Sequence, residues 1–128
     1  MASVLDTSIA IELRDRHAPT LRLVRGLTEP VALSAITRVE LEGGVTRDPA
    51  QSAVRRSRLD AMLAILATLP LEEADILVYR RIVEALGYSR RKLLDRLIAA
   101  QAIARNAALA TANPSDFREI PGLVMVEL

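Results

Sequence analysis

The chain opens on an aliphatic run that stops at an acid: Ala2-Ser3-Val4-Leu5-Asp6-Thr7-Ser8. A run this short and apolar suits a strand buried on both faces better than a helix. A strand buried on both faces needs partner strands on either side and helices above and below. It thereby calls for an α/β chain with a mostly parallel sheet. Asp6 would stand at the C-terminal end of that strand, and in open α/β sheets ligands bind outside this edge. A carboxylate leaving water there must be compensated by a cation, a hydrogen-bond donor or residual solvent.

The rest of the chain supplies the expected partners. Thr7 or Ser8 would cap a helix reaching about Arg16, with Ile9, Ile11 and Leu13 partly inward. Pro19 fits the first turn of a second short helix ending near Gly26. Val31 to Ile36 reads as a second buried strand, followed by Thr37 as a helix cap with Glu40 at capping-box spacing and Gly43-Gly44 as an interruption. One long helix is expected from Pro49 to about Leu69, its apolar stripe made by Ala53, Leu59, Met62, Leu63 and Leu66. A further helix runs from Glu73 to Leu86 and stops at Gly87. Tyr88 to Lys92 forms a basic loop, Leu93 to Arg105 an apolar helix, and Ala108 to Thr111 a short strand. Val124, Val126 and Leu128 would close the sheet at an edge. With 128 residues and no linker or repeat, residues 1–128 read as a single helix-rich domain.

Composition removes several kinds of chemistry. Without cysteine there is no disulfide, thiolate zinc site or Cys nucleophile. The single histidine, His17, lies away from every other marked residue and reads as a solvated surface group, so a His-based acid–base mechanism is disfavoured. A net charge of +1 argues against a strongly basic, sequence-independent nucleic-acid binder. Three aromatic residues, Tyr79, Tyr88 and Phe117, cannot form a base-stacking platform. Asp6, Glu12 and Arg14 break up any secretory leader, and Met62 to Leu71 is too short to cross a bilayer, so a soluble, cytoplasmic protein with no membrane partner is expected.

What remains is carboxylate chemistry. Besides Asp6, three acids stand in marked contexts: Glu40 in Ser34-Ala35-Ile36-Thr37-Arg38-Val39-Glu40-Leu41, Asp95 in Leu93-Leu94-Asp95-Arg96-Leu97-Ile98-Ala99-Ala100, and Asp116 in Thr111-Ala112-Asn113-Pro114-Ser115-Asp116-Phe117. Each has an ordinary explanation on its own: a cap, a capping box, a favourable helix dipole, a turn. Together, in this order, they resemble the motifs of PIN-domain nucleases and, within them, the VapC-type toxins of type II toxin–antitoxin systems. Leu5-Asp6-Thr7-Ser8 is similar to the opening motif, and Ser34, Ile36, Thr37, Glu40, Leu41 and Gly44 to the second. Asp95 with Leu97-Ile98-Ala99-Ala100 is similar to the third, and Thr111, Asn113, Asp116 and Phe117 to the fourth.

The resemblance implies a PIN-like three-layer α/β/α sandwich. It further implies an acidic pocket in which Asp6, Glu40, Asp95 and Asp116 hold Mg²⁺ or Mn²⁺, with Thr7, Ser8, Thr111 and Asn113 supporting them by hydrogen bonding. Ser8 stands where the family most often has Asn. Members differ over whether the last acid falls at the position of Asn113 or of Asp116; the acid is assigned here to Asp116. The implied activity is endoribonucleolytic hydrolysis of RNA, with tRNA or rRNA as substrate, a cognate antitoxin protein as inhibitor and a homodimer as the assembly. Hard oxygen ligands without His or Cys suit Mg²⁺. The Tyr88 to Lys92 loop directly before Asp95, with Arg90 and Arg91 as its phosphate contacts, is the favoured substrate-contacting group among the basic ones, which also include Arg55, Arg56, Arg58, Arg80 and Arg81. Helices near Ile9 to Leu13 and Met62 to Leu69 are candidates for a groove that accepts a partner helix. Two competing readings are a receiver-like signalling module and a PIN scaffold without activity. A receiver needs paired N-terminal acids and a Lys after a late strand, whereas Asp6 is unpaired and the one Lys, Lys92, precedes a helix.

Overall fold

A computed structural model describes all residues, 1–128. In chain order the elements are β1 (Ser3–Leu5), α1 (Thr7–Arg14), α2 (Ala18–Arg25), β2 (Val31–Ser34), α3 (Ala35–Arg47), α4 (Ser52–Ile65), β3 (Ala67–Leu69), α5 (Glu73–Leu86), α6 (Leu93–Ala104), β4 (Ala108–Thr111) and β5 (Met125–Glu127). Short 3-10 turns precede α4 and follow β4. The five strands form one sheet in the order β3-β2-β1-β4-β5, parallel at every pairing.

Alternation along the central strands explains the two helical layers. Val4 and Leu109 turn to one face, where they meet Ile82 of α5, Ile98 and Ala102 of α6, and Phe117. Leu5, Leu33 and Ala110 turn to the other, against Ile9 of α1, Leu41 and Val45 of α3, and Leu59 of α4. The protein is therefore a three-layer α/β/α sandwich. The chain builds outward from β1 through β2 to β3, then returns to the other side of β1 for β4 and β5. The carboxyl ends of β1 and β4 thus flank the point where the winding reverses, which is where such sheets bind ligands. A receiver-like domain has the order 2-1-3-4-5 and is excluded by this topology.

The structure corrects several expectations. The cap of α1 is Asp6, not Thr7 or Ser8, because its Oδ1 accepts from the Ile9 amide at 2.9 Å. Strand β2 ends at Ser34 rather than Ile36, and Ser34, not Thr37, caps α3 through the Ile36 amide at 3.0 Å. Thr37 is instead fully buried one turn on, and no capping box with Glu40 forms. Gly43 and Gly44 do not interrupt α3. Each glycine disfavours helix by about 1 kcal/mol, but core burial of Leu41 and Val45 on either side outweighs this. The long helix expected to Leu69 ends at Ile65, and Ala67–Leu69 turns into an edge strand paired with β2 at Ala32↔Ala67.

Candidate active site

Each acid reaches the carboxyl edge by a different route. Asp6 follows β1 directly: its amide donates to Ala110 O at 3.0 Å, which carries the sheet ladder one residue past the strand. Its side chain is almost completely buried. Oδ1 caps α1, and Oδ2 accepts from Thr111 Oγ1 at the end of β4, at 2.5 Å. Two residues far apart in sequence are thus joined across the switch point. Thr111 in turn accepts from the Asn113 amide at 2.9 Å, which fixes the turn leading to Asp116.

Glu40 sits in the second turn of α3, where Thr7 Oγ1 donates to its Oε1 at 3.2 Å. The Thr7 hydroxyl also pairs with Thr37 Oγ1 at 3.0 Å, so one buried and one half-buried threonine hold this carboxylate. Asp95 stands in the first turn of α6, near the positive end of the helix. Asp116 is exposed on the 3-10 turn after β4 and lines, with Asp95, Arg91 and Lys92, an open cavity of about 220 Å³.

Electrostatics tie these four groups into one cluster. Burial pushes the Asp6 carboxyl above its ordinary value, partly offset by the Thr111 and Ile9 donors, while Glu12 and Asp116 push it further. Burial also raises Glu40, against the Thr7 hydrogen bond, with a contribution from Asp95. For Asp95, burial is again the largest cause, followed by repulsion from Asp116 and Asp6, with Lys92 opposing. Repulsion thus reaches Asp95 from Asp6 and Asp116, Glu40 from Asp95, and Asp6 from Asp116, although these acids come from four separate stretches of chain.

No three of these side chains approach closely enough to enclose an ion unaided. The donor set nevertheless fits Mg²⁺ or Mn²⁺. It is all oxygen, and Mg²⁺ takes one or two carboxylates directly while keeping several waters. A carboxylate has about four lone-pair sites, so Asp6 retains capacity beyond its two accepted hydrogen bonds.

The supporting residues divide. Thr7 and Thr111 each bond an acid, whereas Asn113 contributes its backbone and Ser8 is exposed without a side-chain hydrogen bond to an acid. Arg91 lines the cavity beside Asp95 and Asp116, but Arg90 does not, and Lys92 takes that place. Lys92 is steered by Glu119, which it meets at 2.6 Å and which also accepts from Arg96 at 3.2 Å. Within the favoured Tyr88–Lys92 loop the sequence points to Arg90 and Arg91 ahead of Lys92, and it marks Thr37 as a cap and a member of the second motif but not as the partner of Thr7. The run of basic residues before Asp95 carried the first signal; nothing local carried the second. The other basic groups are partly committed elsewhere: Arg56 bridges Glu42 and Asp60, and Arg80 pairs with Glu84.

The geometry agrees with known proteins. The PIN-domain sequence pattern matches residues 3–123. The chain is 29% identical over 133 residues to Ribonuclease VapC2 of Rickettsia felis, covering 98% of this chain and 96% of that protein. The crystal structure of VapBC2 from Rickettsia felis bound to a DNA fragment from its promoter contains a chain similar at a TM-score of 0.87 and 27% identity, covering 100% of this chain and 99% of that one. FitAcB from Neisseria gonorrhoeae is similar at a TM-score of 0.78 and 27% identity, covering 97% of this chain and 96% of that one. The family pattern spans strands β1 to β4, both helical layers and all four acids, and the chain belongs to the PIN-domain family.

Proposed function

We propose that this protein is a divalent-metal-dependent endoribonuclease that acts as the toxin of a VapC-type toxin–antitoxin pair. The observation that carries the reading is the cluster itself: Asp6, Glu40 and Asp95 all have raised carboxyl pKa values, with desolvation and mutual repulsion among the causes, at the switch point of the sheet. Such a cluster is an unfavourable arrangement that a cation relieves. Bound Mg²⁺ or Mn²⁺ would neutralise charge on the phosphodiester and make a water more acidic.

The chain's own residues do the rest. Asp6, locked by Ile9 and Thr111, and Asp95, in the first turn of α6, are the two principal ligands of this reading. Glu40 and Asp116 complete the set, Glu40 oriented by Thr7. Arg91 and Lys92 attract the phosphate beside Asp95 and Asp116. Water attacks phosphorus, the bond to the 3′ oxygen breaks, and that oxygen leaves as a 3′-hydroxyl with a 5′-phosphate on the other fragment. RNA is the substrate class, with tRNA and rRNA the first to test, and the cytoplasm the setting. No helix is long and apolar enough to cross a membrane.

An antitoxin chain is the proposed inhibitor. A groove of about 410 Å³ between α1, α2 and α4 is lined by Leu13, Leu21, Ala61, Met62 and Ile65, together with Arg14, Arg16, Arg25 and Arg58. An amphipathic helix with acidic flanks fits that composition. The similar solved structure from Rickettsia felis is named as a VapBC2 assembly, which supports a partner protein for this chain. Self-association as a homodimer belongs to the same reading; α5 leaves Ile76 and Leu77 exposed on its outer face.

The test is cleavage of cellular RNA by purified protein with Mg²⁺ or Mn²⁺ and with EDTA. Asp95→Asn should lower cleavage by more than about 100-fold, since even outer-shell partners of metal ligands are worth 10–100-fold. Metal-dependent cleavage retained in that variant would remove Asp95 from the site.

A further inference from the structure

A second cavity of about 410 Å³ opens beside Glu40, in the groove between α1 and α3. Its lining includes three arginines from three helices or their ends: Arg14, Arg47 and Arg55. None of them belongs to the Arg91–Lys92 wall on the far side of the acids.

The groove is set by the parallel course of its two walls. Helices α1 and α3 both leave the carboxyl edge from neighbouring strands, and Thr7 and Glu40 meet at their upper ends. Arg14 lies seven residues beyond Thr7, and Arg47 seven beyond Glu40. Two helical turns return each to the same face, roughly 10 Å further along the axis. Each wall thus carries a site residue at its top and an arginine below it.

Gly44 makes the close approach possible. A Cβ at this position would stand 3.1 Å from Arg14 Nη1, and Arg55 Nη1 donates to Gly44 O at 2.8 Å. Arg14 is itself almost wholly buried, and Asp15 takes its Nε at 3.1 Å and its Nη2 at 3.3 Å. Its Nη1 takes no part in that pair, and the residue lines this cavity as well as the groove between α1, α2 and α4. Arg47 is exposed, with no acidic partner among the ion pairs. The lining carries three positive charges against Asp15 and Glu40, so it remains cationic even with both acids ionised.

We propose that the Arg14–Arg47–Arg55 groove binds a backbone phosphate of the RNA strand on the Glu40 side of the acids, so that cations grip the strand on both flanks of the cut. This rests on the ribonuclease reading above. Four carboxylates outnumber the charge of one divalent ion, so the site repels a polyanion unless cations stand on its approaches. Arg91 and Lys92 supply one approach, and this groove the other. Planar guanidinium groups, two of them immobilised before any ligand arrives, suit phosphate oxygens. The groove carries only one hydrophobic residue, Ile11, which disfavours an apolar peptide as its occupant.

The test is fluorescence anisotropy of a random-sequence single-stranded RNA with full-length protein, in Ca²⁺ and over a range of salt. Arg47→Ala and Arg55→Gln are expected to weaken binding roughly fivefold to tenfold each and to flatten the plot of log K against log salt by about 0.7 per lost phosphate contact. Arg47→Lys should restore most of the affinity. The thermal shift produced by Mn²⁺ should stay as in the wild type, which separates this groove from the metal site. Unchanged RNA affinity and salt slope in both variants, with normal wild-type binding, would overturn the groove and leave the nuclease reading standing. Loss of binding to a poly-glutamate probe without loss of RNA binding would also overturn it, in favour of an acidic protein segment. Wild-type protein that binds no RNA and shows no Mn²⁺ shift would overturn both.

Discussion

Asp6 has two jobs that substitution can separate. In Asp6→Asn the helix cap survives, because Asn accepts from the Ile9 amide about as well as Asp, and its Nδ2 can donate to Thr111 Oγ1, reversing the bond that Asp6 Oδ2 accepts. In Asp6→Ala both are lost. The cap accounts for about 1 kcal/mol, and a buried Thr111 hydroxyl left without this partner for about 1–3 kcal/mol more. Both variants remove the buried charge, so that contribution cancels between them. Asn should therefore exceed Ala by about 2–4 kcal/mol, or roughly 8–15 °C in Tm for a chain of this length. In EDTA at neutral pH, Asn should match or exceed the wild type, because burial works against the ionised Asp6. With Mn²⁺ at about 100 times its Kd the wild type should gain roughly 2.7 kcal/mol, and neither variant should follow. Thermal denaturation of the three proteins with and without Mn²⁺ reads all of this. Equal stability of Asn and Ala would refute the assigned hydrogen bonds. A full Mn²⁺ shift in the Asn variant would refute Asp6 as a ligand.

Three further outcomes follow from the same contacts. Asp6, Glu40 and Asp95 are raised above ordinary values of 3.8, 4.5 and 3.8, so the folded chain holds their protons more tightly than the unfolded one. Their stabilising contribution is present below about pH 4 and lost as pH rises through the raised values, so urea midpoints in EDTA should fall less steeply toward neutral pH in an Asp6→Asn, Asp95→Asn double variant; a steeper fall in that variant contradicts this. Gln101→Leu removes the amide that donates to Leu69 O at 3.2 Å and Pro70 O at 3.1 Å, together with its contact to Ser34, and should lower urea stability by about 2–4 kcal/mol; less than 1 would count against it. Thr37→Val should cost about 1 kcal/mol and lower kcat up to roughly tenfold with KM little changed, as a residue that orients Glu40 through Thr7 would; an effect on KM alone would argue otherwise.

Which parts of this structure could be read in the sequence follows from where their causes lie. Strands β1 and β4 and helices α5 and α6 carry their signals locally, in continuous aliphatic runs, first-turn acids and Gly87 at positive φ. Strand β3 does not. It is one exposed and two half-buried residues at an edge, and only the neighbouring β2 gives Ala67–Leu69 a reason to extend. Thr37 and Ser34 exchange their expected roles because β2 stops early, and Thr37 is then free to turn inward to Thr7, a partner far back in the chain. Gly44 looks like a helix breaker until Arg14 is seen against it. The four acids were legible as an ordered set, but their mutual repulsion and the Asp6–Thr111 bond exist only once the sheet is wound.

The central claim is that four carboxylates from distant stretches of this chain hold one divalent-ion site at the switch point of the sheet. A crystal of the protein soaked in Mn²⁺, with anomalous data collected at the manganese edge, tests it most directly. The account expects a peak bonded to Asp6 or Asp95, with Asp116 and Glu40 reached directly or through water. A peak at another acidic cluster, or none beside Asp6 and Asp95 at millimolar Mn²⁺, would contradict it.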